Sequence, residues 1–410
     1  MTEEREFFIA RLGAQGDGVA DLEGRNIFVP FTLPGDHVLA DIDVDRGRLR
    51  RILEPSPERV SPICKHFGTC GGCSVQHLAT DAYAVWKRAS VADAFKARGL
   101  EPEVDALERP AGQRRRAALK AQRTEEGIEI GFHAAASHEL IAIEECPVLE
   151  PKIVLALPAV ARLTGPILPK RTEVRVVITL TRSGLDIEVD NTQRKLTPEI
   201  RSQLAIGAIQ IGVARLVVSG DVVVETLQPF LQFGPADVPL PPAVFVQAVE
   251  AAETAIANRV AAALGKAKRV ADLFCGLGAF TFPIAMRARV SAYDGSKPAI
   301  AALASAAKKT SGLKPIDAIV RDLFRDPLSV LELNEYDAVV FDPPRAGAEA
   351  QSQRLAKSKV KTVVAVSCNP ATLARDARHL VDGGFKIESV TPIDQFVYSA
   401  HVEVVAIFRR

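Results

Sequence analysis

From Val270 to the carboxyl end, short apolar runs close on a glycine or an acid and hand over to stretches of helical composition. Runs of four or five mostly β-branched residues are too short for helices and read as strands buried on both faces, which calls for a parallel sheet covered by helices. Strand and helix in turn predict a doubly wound α/β sheet over residues 240–410. Such sheets bind ligands at the carboxyl ends of their strands, so the residues closing each run are the candidate site.

The first run, Val270-Ala-Asp272-Leu-Phe274, breaks into Cys275-Gly276-Leu-Gly278-Ala-Phe280. Gly276 and Gly278 let a ligand lie against the backbone, but the third glycine of a dinucleotide fingerprint is missing, so a nucleoside without a pyrophosphate fits better than NAD. Cys275 is expected to fill core beside the turn. The second run ends in Asp294, an acid able to accept hydrogen bonds from ribose hydroxyls, and Asp322 follows the third, Ile316 to Val320. The segment resembles the S-adenosylmethionine site of class I methyltransferases, in which Phe274, Asp294 and Asp322 would line the cofactor. Tyr336 to Phe341 leads into Asp342-Pro343-Pro344-Arg345. Amino-group methyltransferases commonly carry an aromatic after the paired prolines; Arg345 stands there instead, which argues for chemistry at carbon.

Residues 361–376, KTVVAVSCNPATLARD, deliver Cys368 to the end of another run, because Pro370 cannot continue a ladder and Ala371 to Leu380 has helical composition. A lone cysteine is as readily a small buried hydrophobe as a nucleophile. The nucleophile reading has a chemical purpose: a thiolate added to carbon 6 of uracil makes carbon 5 reactive toward a sulfonium methyl group. A base must then remove the carbon 5 proton. The last run offers His401-Val402-Glu403, with His401 and Glu403 on one face. An unperturbed thiol is only roughly 3% ionised at pH 7, so the site is expected to favour the anion.

Residues 1–55 alternate apolar and polar positions between glycines, the pattern of a small β-barrel. GDGVA and IFVPFTLPGDHV resemble the RNA-binding barrel called TRAM. Residues 56–239 read as a mixed α+β central domain carrying Cys64, Cys70 and Cys73, separated by five and two residues, with Cys146 far downstream. Four thiolates suit an iron-sulfur cluster or structural zinc, and ligand softness does not separate the two. The spacing is not the three-then-two pattern of radical enzymes, which disfavours radical chemistry. Tyr83 to Arg98 reads as an amphipathic helix with Trp86 in its core. Arg109 to Arg123 carries six cations and no acid between Glu108 and Glu125, a stretch able to track phosphates. Strands are expected at Val174 to Leu180, Leu185 to Val189 and Leu216 to Val224, and a long helix from Phe245 to Leu264.

With 410 residues, 48% hydrophobic and 25% charged, the chain has material for two or three cores and is not disordered. A net charge of +1 does not by itself announce a nucleic-acid binder. MTEEREFFIARLG has no export-signal pattern, and no apolar stretch approaches about 18 residues, so a cytoplasmic protein without a membrane partner is expected.

Together, SCNPATLARD, the spacing of Cys368 and Glu403, DPPRAG, DLFCGLG, Phe-Val-Gln247 and the four cysteines resemble the RNA (uracil-5-)-methyltransferase family nearly end to end. The resemblance implies Cys368 as nucleophile and Glu403 as base, and contacts to S-adenosyl-L-methionine and uracil from Gln247, Phe274, Gly276, Asp294, Asp322 and Asp342. It further implies a [4Fe-4S] cluster on Cys64, Cys70, Cys73 and Cys146, in preference to zinc, and it favours 23S rRNA as partner of a monomeric enzyme. A transfer RNA uridine, a cytosine, or a non-catalytic RNA-binding role are the alternatives. Two departures stand out. Ala279 replaces an expected asparagine, and Asp394-Gln-Phe396-Val397-Tyr398 lacks the usual proline.

Overall fold

The computed structural model describes residues 3–168, 172–192 and 195–410. Its amino-terminal part is a six-stranded sheet whose two edge strands, Glu3–Phe8 and Arg11–Leu12, are successive pieces of one stretch of chain. Between them the Ile9 amide bonds Asp36 O and the Ala10 amide bonds Val19 O, each at 2.9 Å. The sheet therefore curls onto itself, and Phe7, Ile9, Ile27, Val29 and Val38 fill the inside.

The central region is a seven-stranded sheet built from Arg116–Arg123, Ile128–His133, Leu140–Ala142, Val174–Thr181, Gly184–Asp190, Arg215–Val218 and Asp221–Glu225. Helices Pro151–Thr164 and Pro198–Gln210 pack onto it through Ile153, Leu157, Val160 and Leu204. The single strand expected from Leu216 to Val224 is a hairpin. Ser219 and Gly220, both at positive φ, reverse the chain inside it, a conformation glycine takes freely.

The carboxyl-terminal sheet comprises β1 (Arg269–Leu273), β2 (Arg289–Asp294), β3 (Ile316–Val320), β4 (Ala338–Phe341), β5 (Thr362–Ser367), β6 (Lys386–Ile393) and β7 (Glu403–Arg409). Their order is β3-β2-β1-β4-β5-β7-β6; β1 to β5 run parallel, and β7 is antiparallel to both neighbours. Burial on both faces is visible within a strand: Val364 and Val366 join one core layer, Val363 and Ala365 the other. The antiparallel β7 begins where the parallel strands end, so its first residue lies at the ligand-binding edge. The register Ser367↔Val404 sets Glu403 beside Cys368.

Two segments expected in the central region pack into this domain instead. Helix Thr80–Lys96 buries Val91 and Phe95 against Leu373 and Ala377, and residues 104–108 cover the open edge of β6 through the bridges Val104↔Val390 and Glu108↔Ile393. The hairpin Phe230–Phe233 and Ala236–Pro239, before the expected boundary at 240, shares a core with Ile256 and Val260. The helix expected from Phe245 begins only at Glu250 and ends at Ala263. Residues 245–249 stay extended because Arg115 holds their carbonyls, its amide on Ala248 O at 2.7 Å and its Nε on Gln247 O at 3.2 Å.

Candidate active site

Cys368 stands between β5 and helix Pro370–Asp382, where Asn369 caps the helix by accepting from the Ala371 amide at 3.1 Å. Ser367 Oγ accepts from the Asn369 amide at 3.1 Å, and Asn369 Nδ2 donates to Arg345 O at 3.1 Å. The loop after Asp342 and the cysteine turn are thus one rigid unit. The thiol opens onto a cleft of about 620 Å³ lined also by Arg11, Trp86, Arg345 and His401.

The expectation of a thiolate is not met in this state. Burial, then the carboxylates of Glu403 and Asp342, push the Cys368 thiol up to about 11, against the opposing pull of Arg345 and a backbone hydrogen bond. The adjacent helix N-terminus favours an anion by about 0.3–1 kcal/mol, less than one pKa unit, so desolvation wins.

Glu403 is buried; Oε1 accepts from Gln395 Nε2 at 2.9 Å, and Oε2 has no hydrogen-bond partner among the described residues. Burial and the neighbouring Asp342 raise its pKa, with Gln395 and Arg345 opposing. Gln395 Nε2 also donates to Gln247 Oε1 at 2.7 Å, and Gln247 Nε2 donates to Asp342 Oδ2 at 3.3 Å. Burial likewise raises the pKa of Asp342. A hydrogen-bonded line of four side chains therefore runs from Asp342 to Glu403. His401, on the same strand approach, lies 3.1 Å from Arg345 Nη2, and burial together with Arg345, Lys87 and Arg114 lowers its pKa.

The glycine turn lies on the neighbouring strand ends. Phe274 at φ +61° precedes Gly276 at +53° and Gly278 at +93°. A bulky residue in the left-handed region costs about 1–3 kcal/mol, and such strain gathers at ligand sites. A side chain at Gly276 would meet nothing within 4 Å, so space lies open above the backbone there. Asp294 is fixed by the amides of Gly276 at 2.9 Å and Ser296 at 2.7 Å. Asp322 accepts from the amides of Phe324 and Arg325 at 3.1 and 3.3 Å, and Phe324 leans on Phe274 with ring centroids 5.3 Å apart. Cys275 is buried in the core, as expected. Ala279 packs against that same core.

Cys64, Cys70, Cys73 and Cys146 line one cavity of about 50 Å³ with the apolar Phe132, Ile143 and Leu149. The distant Cys146 is brought in by its neighbours: the Lys65 amide donates to Glu145 Oε1 at 2.7 Å. Gly71 is required, since a Cβ there would sit 2.8 Å from His133 O. Among the described residues, no group of three or more His, Cys, Asp or Glu side chains is placed to hold a single metal ion.

The cations between Arg109 and Arg123 are largely spent inside the protein: Arg115 pairs with Glu253 at 2.8 Å, Lys120 with Glu173 at 2.6 Å, and Arg114 lies over the Phe396 ring. Arg123 bonds Gly165 O from an exposed position. Trp86 meets its core expectation in part: it packs against Leu33, Val75, Leu78 and Tyr83 and also lines the cleft, while Tyr83, Lys87, Val91 and Phe95 form the buried stripe of its helix. Sequence reasoning missed Gln395 and Phe324. The only signal for either was position, Gln395 just beyond β6 and Phe324 two residues after Asp322.

No helix among the described residues is long and apolar enough to cross a membrane. The family model described as tRNA (Uracil-5-)-methyltransferase matches residues 176–410. An RNA methyltransferase of Caulobacter vibrioides is 47% identical over 99% of this chain and 100% of its own length. The 23S rRNA (uracil(1939)-C(5))-methyltransferase RlmD of Edwardsiella ictaluri is 31% identical over 97% of this chain and 94% of its own. The Pyrococcus abyssi tRNA (uracil-54, C5)-methyltransferase, solved with S-adenosyl-L-homocysteine, superposes with TM-score 0.76 over 98% of this chain and all of its own, at 23% identity. That likeness shows the fold. The chain therefore belongs to the tRNA (Uracil-5-)-methyltransferase family and is an S-adenosylmethionine-dependent RNA (uracil-5-)-methyltransferase.

Proposed function

We propose that the enzyme methylates carbon 5 of a uridine in 23S ribosomal RNA through a covalent adduct on Cys368, with Glu403 as base. The observation that carries the reading is the pairing of Cys368, at the floor of the cleft, with Glu403 buried next to it by strand register. A uridine flipped into the cleft presents its ring to both, which a stacked base would not do. As Sγ adds to carbon 6, the thiol proton leaves to solvent through the open cleft, and the ring electrons move toward carbon 4 oxygen. S-adenosylmethionine, which Phe274, Gly276, Asp294 and Asp322 would hold, would supply an electrophilic methyl group to carbon 5 and leave as S-adenosylhomocysteine. Glu403 then removes the carbon 5 proton, and the carbon 6 to sulfur bond breaks with its electrons returning to Cys368. Gln395 and Gln247 hold the Glu403 carboxylate and Asp342 in fixed relation.

Phe274, Gly276, Asp294 and Asp322 form the cofactor end of the site, with Gln247 and Asp342 between cofactor and uracil. Open space above Gly276 and the strained turn support that role. The curled amino-terminal sheet acts as a TRAM-like RNA-binding module. The four cysteines hold a [4Fe-4S] cluster: four thiols lining one apolar-walled cavity fit four-thiolate ligation of a cluster. Such a cluster would lock the loop 64–73 onto the segment at Cys146. The RlmD relative supports ribosomal over transfer RNA. The reading is of a cytoplasmic monomer.

Tritium release from 23S transcripts labelled at carbon 5 of uridine tests this. Wild type is expected to release tritium and Cys368→Ala to release none. Equal release by both would exclude the thiol, and release from transfer RNA alone would move the substrate.

A further inference from the structure

We propose that Trp86 is a stacking platform for a nucleobase next to the target uridine, making the cleft a two-base site. The inference rests on Cys368 being the nucleophile, because that places the target base at the cleft floor. The cleft measures about 620 Å³, within the roughly 300–1,000 Å³ of sites that take drug-sized ligands and more than a single flat uracil ring requires. Its walls come from three parts of the chain: residues 11–15 of the curled sheet, the helix face with Trp86, Ala89 and Ser90, and the catalytic turns with Arg345 and Cys368.

Trp86 is held in this wall from behind. Its Nε1 donates to Gly13 O at 3.2 Å, and its ring leans on Tyr83 with centroids 6.0 Å apart. Tyr83 is itself fixed, its hydroxyl donating to the buried Asp394 at 2.8 Å. One side of the ring packs on Leu33, Val75, Leu78 and Tyr83, and the part that lines the cleft is thus immobilised, which removes the entropic cost of ordering it on binding. Arg11 and Arg345 on the same walls supply positive charge for the connecting phosphates. A pre-fixed aromatic beside cations is the arrangement by which single-stranded RNA is held, and every base has a face to stack.

The chain contains one tryptophan, so its own fluorescence reports this contact. Wild type and Cys368→Ala are titrated with a 23S transcript that wild type methylates, and KM and kcat are measured for Trp86→Ala and Trp86→Phe. Saturable quenching is expected in both proteins. Trp86→Ala should raise KM by about 5- to 150-fold with kcat unchanged. Trp86→Phe, which keeps a ring but lacks the N–H that bonds Gly13, should recover most of the loss. Absence of quenching by a methylated transcript, or equal impairment of the Phe and Ala variants, would overturn the platform and leave Trp86 a structural wedge. The Cys368 reading fails separately, by tritium release from Cys368→Ala.

Discussion

Gln395 Nε2 lies 2.9 Å from Glu403 Oε1 while also donating to Gln247 Oε1, so one amide ties the proposed base to Gln247. Because a donor stabilises the charged form, Gln395 lowers a Glu403 pKa that burial raises. In Gln395→Leu the base ionises at higher pH. The acidic limb of the pH-rate profile is expected to move up, with turnover at neutral pH slower by roughly tenfold or more. An unmoved limb would mean that another group controls it.

Glu403→Gln separates function from stability. Turnover should fall by about 10²- to 10⁴-fold, the worth of a placed base. For stability the sign follows from the raised folded-state pKa, against an unfolded value near 4.3. Between the two the native state holds the extra proton, so the stability this group contributes is present below the unfolded pKa and is lost as pH rises through the folded one. Glutamine has no such loss. The variant's melting temperature should gain on wild type from pH 5 to pH 8; a constant difference would contradict the raised pKa.

Lys87 is buried and bonds Asp394 at 2.7 Å as well as the carbonyls of Phe396 and His401. Lys87→Met leaves Asp394 with only the longer pairing to Arg109 at 4.0 Å, at a cost of about 3–5 kcal/mol. Urea unfolding should show that loss, and adding Asp394→Leu should recover part of it. A single variant as stable as wild type would mean that Tyr83 and Arg109 together satisfy the carboxylate.

The cysteine loop and the catalytic loop touch: the amides of Ser74 and Val75 both donate to Tyr398 O, at 2.8 and 3.2 Å. Protein purified without oxygen is expected to carry about four irons per chain. Cys73→Ala should lose them and exchange amide hydrogens faster over residues 394–401, with the curled sheet unchanged. Zinc in place of iron would correct the metal, and unchanged exchange would uncouple the two loops.

What was legible in the sequence follows from which forces are local. The β-branched run before Cys368, and Pro370 after it, mark strand, turn and helix within one short window, whereas Glu403 opens the last strand and His401, expected on the same strand face, lies before it. Gln395 could not be found this way, since its value depends on Gln247, 148 positions away. The cations at Arg114 and Arg115 looked free because their partners, Phe396 and Glu253, are equally remote. The thiol's protonation was misjudged for the same reason: burial and Glu403 set it, and neither is a property of the cysteine motif. Helical spacing of apolar residues misplaced the buried stripe, which runs through Tyr83, Lys87, Val91 and Phe95, because a buried lysine paired with a remote carboxylate cannot be foreseen locally.

The most direct test of the account is to trap the adduct. RNA carrying 5-fluorouridine at the methylated position, incubated with enzyme and S-adenosylmethionine, has no carbon 5 proton for Glu403 to remove, so the sulfur to carbon 6 bond should persist. A denaturation-resistant complex that maps by peptide mass to Cys368, and is absent from Cys368→Ala, is the predicted result. Full methyl transfer without a trapped complex, or a complex on another residue, would contradict the mechanism.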